Sequence, residues 1–209
     1  DWLQQQEQRL ADVQQHPLQS IELTPELVQT QSGTELVLQP ADGSWLATGE
    51  RAPRDVYEVR WKIPAGAELP AASAIALEVL PDPSLPAQGP GRADHGNFVL
   101  SELTLELASP EGTSQRLTFV RASADYSQKG FEPAKAIDGK EDSQGWAIGG
   151  AIGQRHRAQF ELAQPVPLSP GAELSCRLSQ QYDGSKSSPH LLGRFKVSLL
   201  SGLSLESLG

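Results

Sequence analysis

The chain has 209 residues, a net charge of −9, one cysteine and no methionine. The acidity argues against nucleic acid and anionic membranes, because neutralising phosphates needs clustered Lys and Arg. A single cysteine excludes an internal disulfide, and without a Cys-x-x-Cys-His run this stretch attaches no haem.

The chain opens at Asp1 without an initiator methionine, so it is expected to be part of a longer protein. No run approaches the roughly 18 apolar residues of a membrane span. No signal-peptide pattern opens the sequence, so the leader of an exported parent would lie outside it. An acidic chain of this kind suits a neutral ligand, or a cation such as calcium.

Over residues 1–15, Trp2, Leu3, Leu10 and Val13 fall near one face at helical spacing, and Pro17 stops the pattern. This predicts a short N-terminal helix or linker within 1–20, with Trp2 as a docking anchor. From Ile21 the period becomes two. Leu36 and Leu38 flank Val37, and the turn 41–44 follows. Tyr57, Val59 and Trp61 alternate with Glu58, Arg60 and Lys62. Ile75, Leu77 and Val79 alternate with Ala76 and Glu78, and Leu103, Leu105 and Leu107 with Thr104 and Glu106. Leu117 and Phe119 flank Thr118. Ala158, Phe160 and Leu162 alternate with Gln159 and Glu161, Leu174, Cys176 and Leu178 with Ser175 and Arg177, and Phe195, Val197 and Leu199 with Lys196 and Ser198. Each pattern is that of a half-buried strand. Separated by Gly, Pro and Asp turns, they predict one all-β domain over 21–209: an antiparallel β-sandwich of jelly-roll or discoidin-like type. The phase assigns Tyr57, Trp61, Phe119, Phe160, Phe195 and Cys176 to the core.

Three long segments break the pattern: 80–97, 125–156 and 180–194. Long loops in a compact domain are usually functional or disordered, and these are rich in aromatic and ionisable residues. The first carries Asp82, Arg92, Asp94, His95 and Asn97. The second carries Tyr126, Asp138, Asp142, Trp146 and His156, and the third Tyr182, His190 and Arg194. His95, His156 and His190 suit either loop scaffolding or polar ligand contact. No local histidine pair marks a transition-metal site, and no nucleophile elbow marks a triad. Asp138, in Ala-Ile-Asp-Gly, suits either an Asx turn or a calcium ligand. A glycosidase would need two carboxylates across one cleft, and no spacing among Asp82, Asp94, Asp125, Asp138 and Asp142 selects a pair. A non-enzymatic role is expected.

The sequence Ala-Ile-Asp-Gly followed by Gly-Trp resembles the strand-and-loop signature of discoidin-type (coagulation-factor C-like) sandwiches, many of which bind glycans. From about Leu36 to Leu199, the phrases LEVLPDPSLP, GPGR, GNFVLSE, ADYSQKGF, AIDG, GWAI and HLLGRFKVS resemble a module of large planctomycete proteins that join it to a cytochrome-c-like domain. That resemblance implies a secreted or periplasmic multidomain parent with haem elsewhere, and a carbohydrate-binding-like sandwich. The residues matching its motifs are Arg92, Asn97, Asp138, Trp146, His190 and Arg194.

The expected function is therefore a non-catalytic module that binds a polysaccharide or oligosaccharide. Trp146 or Tyr182 would stack on a sugar ring, and Arg92, Asn97, His156, His190 and Arg194 would bond its hydroxyls. Calcium at Asp138 is the expected cofactor. The alternative is a structural module that packs against other domains of the parent. An open groove beside Trp146 is expected of the first reading, and a buried Trp146 of the second.

Overall fold

The computed structural model describes residues 17–182 and 188–202, with Gln4 and Ala11 as isolated positions. Apart from those two residues, the helix expected over 1–15 lies outside the described part of the chain. Twelve strands follow in order: β1 (Gln19–Ser20), β2 (Leu27–Thr30), β3 (Glu35–Gln39), β4 (Ser44–Thr48), β5 (Asp55–Lys62), β6 (Ala72–Val79), β7 (Glu102–Ala108), β8 (Ser114–Leu117), β9 (Phe119–Ala124), β10 (His156–Val166), β11 (Glu173–Gln180) and β12 (Arg194–Ser201). The regular secondary structure among the described residues is otherwise two short 3₁₀ turns, Pro86–Gln88 and Pro133–Ala136.

The strands form two antiparallel sheets. One runs β3-β4-β12-β6-β10-β9, with β1 pairing along the far end of β12. The other runs β2-β5-β11-β7-β8. The pairing is nested, with β4 on β12, β5 on β11, β6 on β10 and β7 on β8. A long hairpin rolled into two layers gives this order, and the two sheets form an all-β sandwich-like arrangement.

The register explains the core. Leu178 lies opposite both Tyr57 and Leu103, Cys176 opposite Val59 and Leu105, and Leu174 opposite Trp61 and Leu107. In the facing sheet, Leu199, Ile75 and Phe160 form one row, and Val197, Leu77 and Ala158 another. Except for half-buried Leu107, all of these residues are buried and join one apolar cluster between the sheets. Cys176 is inaccessible, and burial pushes its thiol up to about 12, so it packs as a small apolar residue.

Strands β9 and β3 differ from the sequence expectation. Phe119 is only half-buried, because it begins the edge strand β9 and meets Phe160 edge-on at 6.2 Å. On β3 both Val37 and Leu38 are exposed, at 38% and 45%. β3 is the terminal strand of its sheet and pairs only with β4 among the described residues, so neither of its faces is fully covered. The outer face of the sheet centre is buried at Ala74, Ala76 and Leu200, where Leu18 packs.

At one end of the sandwich the inward phase continues into polar residues. Asp55 begins β5, Gln180 ends β11 and His156 begins β10, and all three are buried. The three long loops meet at this end.

Candidate functional site

Backbone pairing joins the three loops. Loop 80–97 meets loop 180–194 through Arg92 N–H to the Leu191 carbonyl (2.8 Å) and an isolated bridge between Gly91 and Leu192. Just beyond the first loop, Val99 N–H donates to the His190 carbonyl (3.0 Å). The first loop meets loop 125–156 through Asn97, whose Oδ1 accepts from Ile148 N–H (3.1 Å) and whose Nδ2 donates to Gln128 (3.1 Å). Leu100 and Trp146 exchange two backbone hydrogen bonds of 2.9 Å.

Two glycines make this close approach possible. A Cβ on Gly91 would overlap the Asn97 carbonyl, and one on Gly145 would overlap the Leu100 carbonyl. Gly145 also holds φ at +143°, a conformation side chains disfavour. The Gly-Pro-Gly-Arg and Gly-Trp phrases are thus sites of backbone contact.

The loop junction buries most of the residues expected to touch a ligand. Trp146 has 0% exposure, packs edge-on against Phe98 at 5.2 Å and donates its indole N–H to the Tyr126 carbonyl at 3.0 Å. With both ring faces covered it offers no stacking platform, which corrects its expected role. Asn97 is buried and spends its amide on Gln128 and Ile148. His156 is buried, with Nδ1 facing the Asp125 carboxylate at 3.2 Å and Nε2 facing the Ala151 carbonyl at 2.8 Å. It pins the second loop onto β10. Arg92 is also buried, and its Nη2 donates to the Gly49 carbonyl at 2.6 Å.

Arg194 is half-buried and serves as a strut. Its guanidinium bonds Ser44, Asp42 (2.8 Å) and Asp82 (3.2 Å), tying the β3–β4 turn to the first loop. Asp138 closes an Asx turn: one carboxylate oxygen accepts from Lys140 N–H at 3.0 Å and the other meets Lys140 Nζ at 3.2 Å. Among the described residues no three His, Cys, Asp or Glu side chains are grouped to hold a metal. Asp138 thus forms the Asx turn that its Ala-Ile-Asp-Gly sequence allows.

Tyr182 and His190 remain near the surface. His190 sits between two rings, with Tyr182 at 4.7 Å and His95 at 5.1 Å. Phe131 extends the row, 6.0 Å from Tyr182. Phe131, Tyr182 and His190 are half-buried and His95 is exposed, so the row draws one residue or more from each loop and retains accessible ring surface. Burial and the neighbouring His95 hold the His190 imidazole below its ordinary range, against a raising hydrogen bond to the Ser188 backbone. Phe131 carries no periodic signal, standing alone between Gly130 and Glu132.

Loop segment 137–141 lies over the outer face of the second sheet and borders a cavity of about 300 Å³ lined by Glu102, Arg116, Thr118, Phe119, Ile137 and Asp138. Glu102 is buried, accepts from Gly139 N–H at 3.3 Å and pairs with Arg116 at 3.1 Å. Its carboxyl is pushed up to about 7, first by burial and then by the Asp138 and Glu141 charges, against the Gly139 hydrogen bond and Arg116. Strand phase alone marks this residue as solvent-facing, and only the overlying loop buries it.

No family model matches the chain, and no curated protein matches it. Among solved structures it is similar to the CBM3a-L domain with flanking linkers from scaffoldin cipA of the cellulosome of Clostridium thermocellum. The two are 9% identical over 88% of this chain and 94% of that one, with a TM-score of 0.28.

Proposed function

We propose that the protein is a non-catalytic carbohydrate-binding module whose ligand lies on the ring row Phe131, Tyr182, His190 and His95. The observation that carries this reading is the convergence of three loops on partly exposed aromatic side chains, held from beneath by a rigid polar junction. A pyranose presents an apolar C–H face that packs on an aromatic ring, and its hydroxyls need fixed polar partners nearby. The imidazoles of His95 and His190 supply such partners next to the Tyr182 and Phe131 rings. The net charge of −9 favours a neutral polysaccharide over an anionic one. As the planctomycete resemblance implies, the module would belong to a secreted or periplasmic parent that carries haem in another domain.

The test is affinity electrophoresis against a panel of neutral polysaccharides. Retention on at least one is expected, with Tyr182→Ala and Phe131→Ala each weakening it about tenfold, the 1–2 kcal/mol of a lost ring contact. Unchanged retention in both variants would remove the row from the account.

The second reading, a packing module within the parent, draws on the burial of Trp146. The wall around Trp146 comes from the domain's own residues, including Phe98 and Tyr126, so its burial needs no partner domain. A panel without a single retained polysaccharide would favour this second reading.

A further inference from the structure

Strand β3 ends its sheet and pairs with β4 alone among the described residues. The strand beside it fixes which backbone groups point outward. Ala47 N–H donates to the Gly193 carbonyl at 2.7 Å, so Ala47 turns its backbone groups toward β12. Its neighbours Leu46 and Thr48 therefore turn theirs toward β3, where Val37 and Glu35 lie opposite them. Leu36 and Leu38 are left presenting their N–H and C=O groups to the open side.

This edge lacks the features that usually blunt one. Glu35–Gln39 reads Glu-Leu-Val-Leu-Gln, without Pro, Gly or Lys, and its register against β4 runs without a bulge. Val37 and Leu38 are both exposed. At the opposite end of the same sheet, β9 also exposes a large apolar residue, Val120, but that edge is protected. Its register against β10 slips from Arg121 to Phe119, which makes Val120 a bulge with a basic residue beside it.

The β3 sequence is also complementary to itself. Set antiparallel to a second copy and centred on Val37, it places Val37 opposite Val37, Leu36 opposite Leu38 and Glu35 opposite Gln39. Each leucine pair then exchanges the backbone hydrogen bonds that the free edge leaves open. Glu35 carries the strand's charge and faces an amide, not another carboxylate. The two Glu35 positions stand about 14 Å apart, four residues of strand rise, beyond the screening length of roughly 8 Å at physiological salt.

We infer that β3 is a self-association edge, through which two copies of this chain join β3 to β3 across a two-fold axis. The interface is isologous, and the sheet continues from one copy into the other. A contact one short strand long is small, so the dimer is weak and forms at high protein concentration. The net charge of −9 on each copy opposes it, and added salt favours it by screening.

The test is sedimentation equilibrium of the whole chain from about 10 µM to about 1 mM. The weight-average mass should rise toward twice that of one chain, and at lower concentration when salt is raised. Val37→Lys, which sets two ammonium groups face to face at the axis, should hold the mass at that of one chain and leave Tm unchanged. Val37→Cys tests the register. Antiparallel partners outside a hydrogen-bonded pair stand about 4.5 Å apart at Cα, within reach of a disulfide. Cys176 is buried and does not compete. Oxidised Val37→Cys should run as a cross-linked dimer on a non-reducing gel, and Glu35→Cys should not. A single-chain mass up to about 1 mM would overturn the inference. So would a dimer that survives Val37→Lys, or one that Val37→Cys fails to cross-link.

Discussion

The Tyr182 ring meets the His190 imidazole at a centroid distance of 4.7 Å and an interplanar angle of 62°. This edge-on pairing joins the two ends of loop 180–194, and it places a titratable ring inside the proposed sugar platform. His190 is held below its ordinary value of 6.5, chiefly by burial. A histidine with a lowered folded-state value favours folding most above about 6.5, and that contribution fades as pH falls below it. Retention that depends on the neutral His190 imidazole should likewise be full at pH 7.5 and weaken as pH falls below about 6.5. His190→Gln should flatten the profile, and affinity gels run across that range would show it.

Glu102 has the opposite sign. Its folded-state value of about 7 lies above the ordinary 4.5, so its contribution is complete below 4.5 and is lost as pH rises to about 7. Glu102→Gln should stabilise the protein at pH 8 by on the order of 1–3 kcal/mol and have little effect at pH 4. Urea unfolding at the two pH values measures the difference. Equal effects at both would mean that the carboxyl titrates normally in the folded chain.

Trp146→Ala should cost about 3–5 kcal/mol, the range for deleting a buried aromatic side chain. Any loss of sugar binding should track the unfolded fraction. A variant that stays folded yet cannot bind would restore Trp146 to the ligand site.

Gly145→Ala should destabilise by about 2–4 kcal/mol, since the new methyl meets the Leu100 carbonyl and the backbone angle is unfavourable. Gly139→Ala provides the contrast. It also has a positive φ, but its Cβ would meet nothing, so the cost should be about 1 kcal/mol. Denaturation curves of the pair separate overlap from backbone strain.

Chelation tests the Asx turn at Asp138. With Asp138 serving only its Asx turn, EDTA should leave Tm within about 1 °C, since only a cation bound by the folded state would add stability by mass action. A fall of several degrees, reversed by added calcium, would place a metal in the protein after all.

Much of the sandwich was legible because the side-chain phase of each strand is fixed by whether it faces the opposite sheet. Tyr57, Trp61, Phe160 and Phe195 were placed in the core on that basis, and all are buried. The loops were less legible because their burial depends on distant backbone. Trp146 lies in a segment without periodicity, yet it pairs with Leu100 as a strand residue would. The continuous apolar run Trp146-Ala147-Ile148 was the available signal. Arg92, Asn97 and His156 have the residue types of ligand contacts, but here they satisfy loop backbone and neighbouring side chains. Phe131 and Glu102 are silent in the sequence, since an isolated ring and an outward-phase carboxylate carry no pattern of their own.

The nested pairing has a consequence for how the chain is made. β12 lies near the centre of its sheet, between β4 and β6, and is the last strand in sequence among the described residues. On the ribosome β4 and β6 are synthesised early, with the slot between them open until residues 194–201 emerge. The sandwich therefore closes only late in the domain's synthesis, and β6 presents an unpaired apolar edge until then.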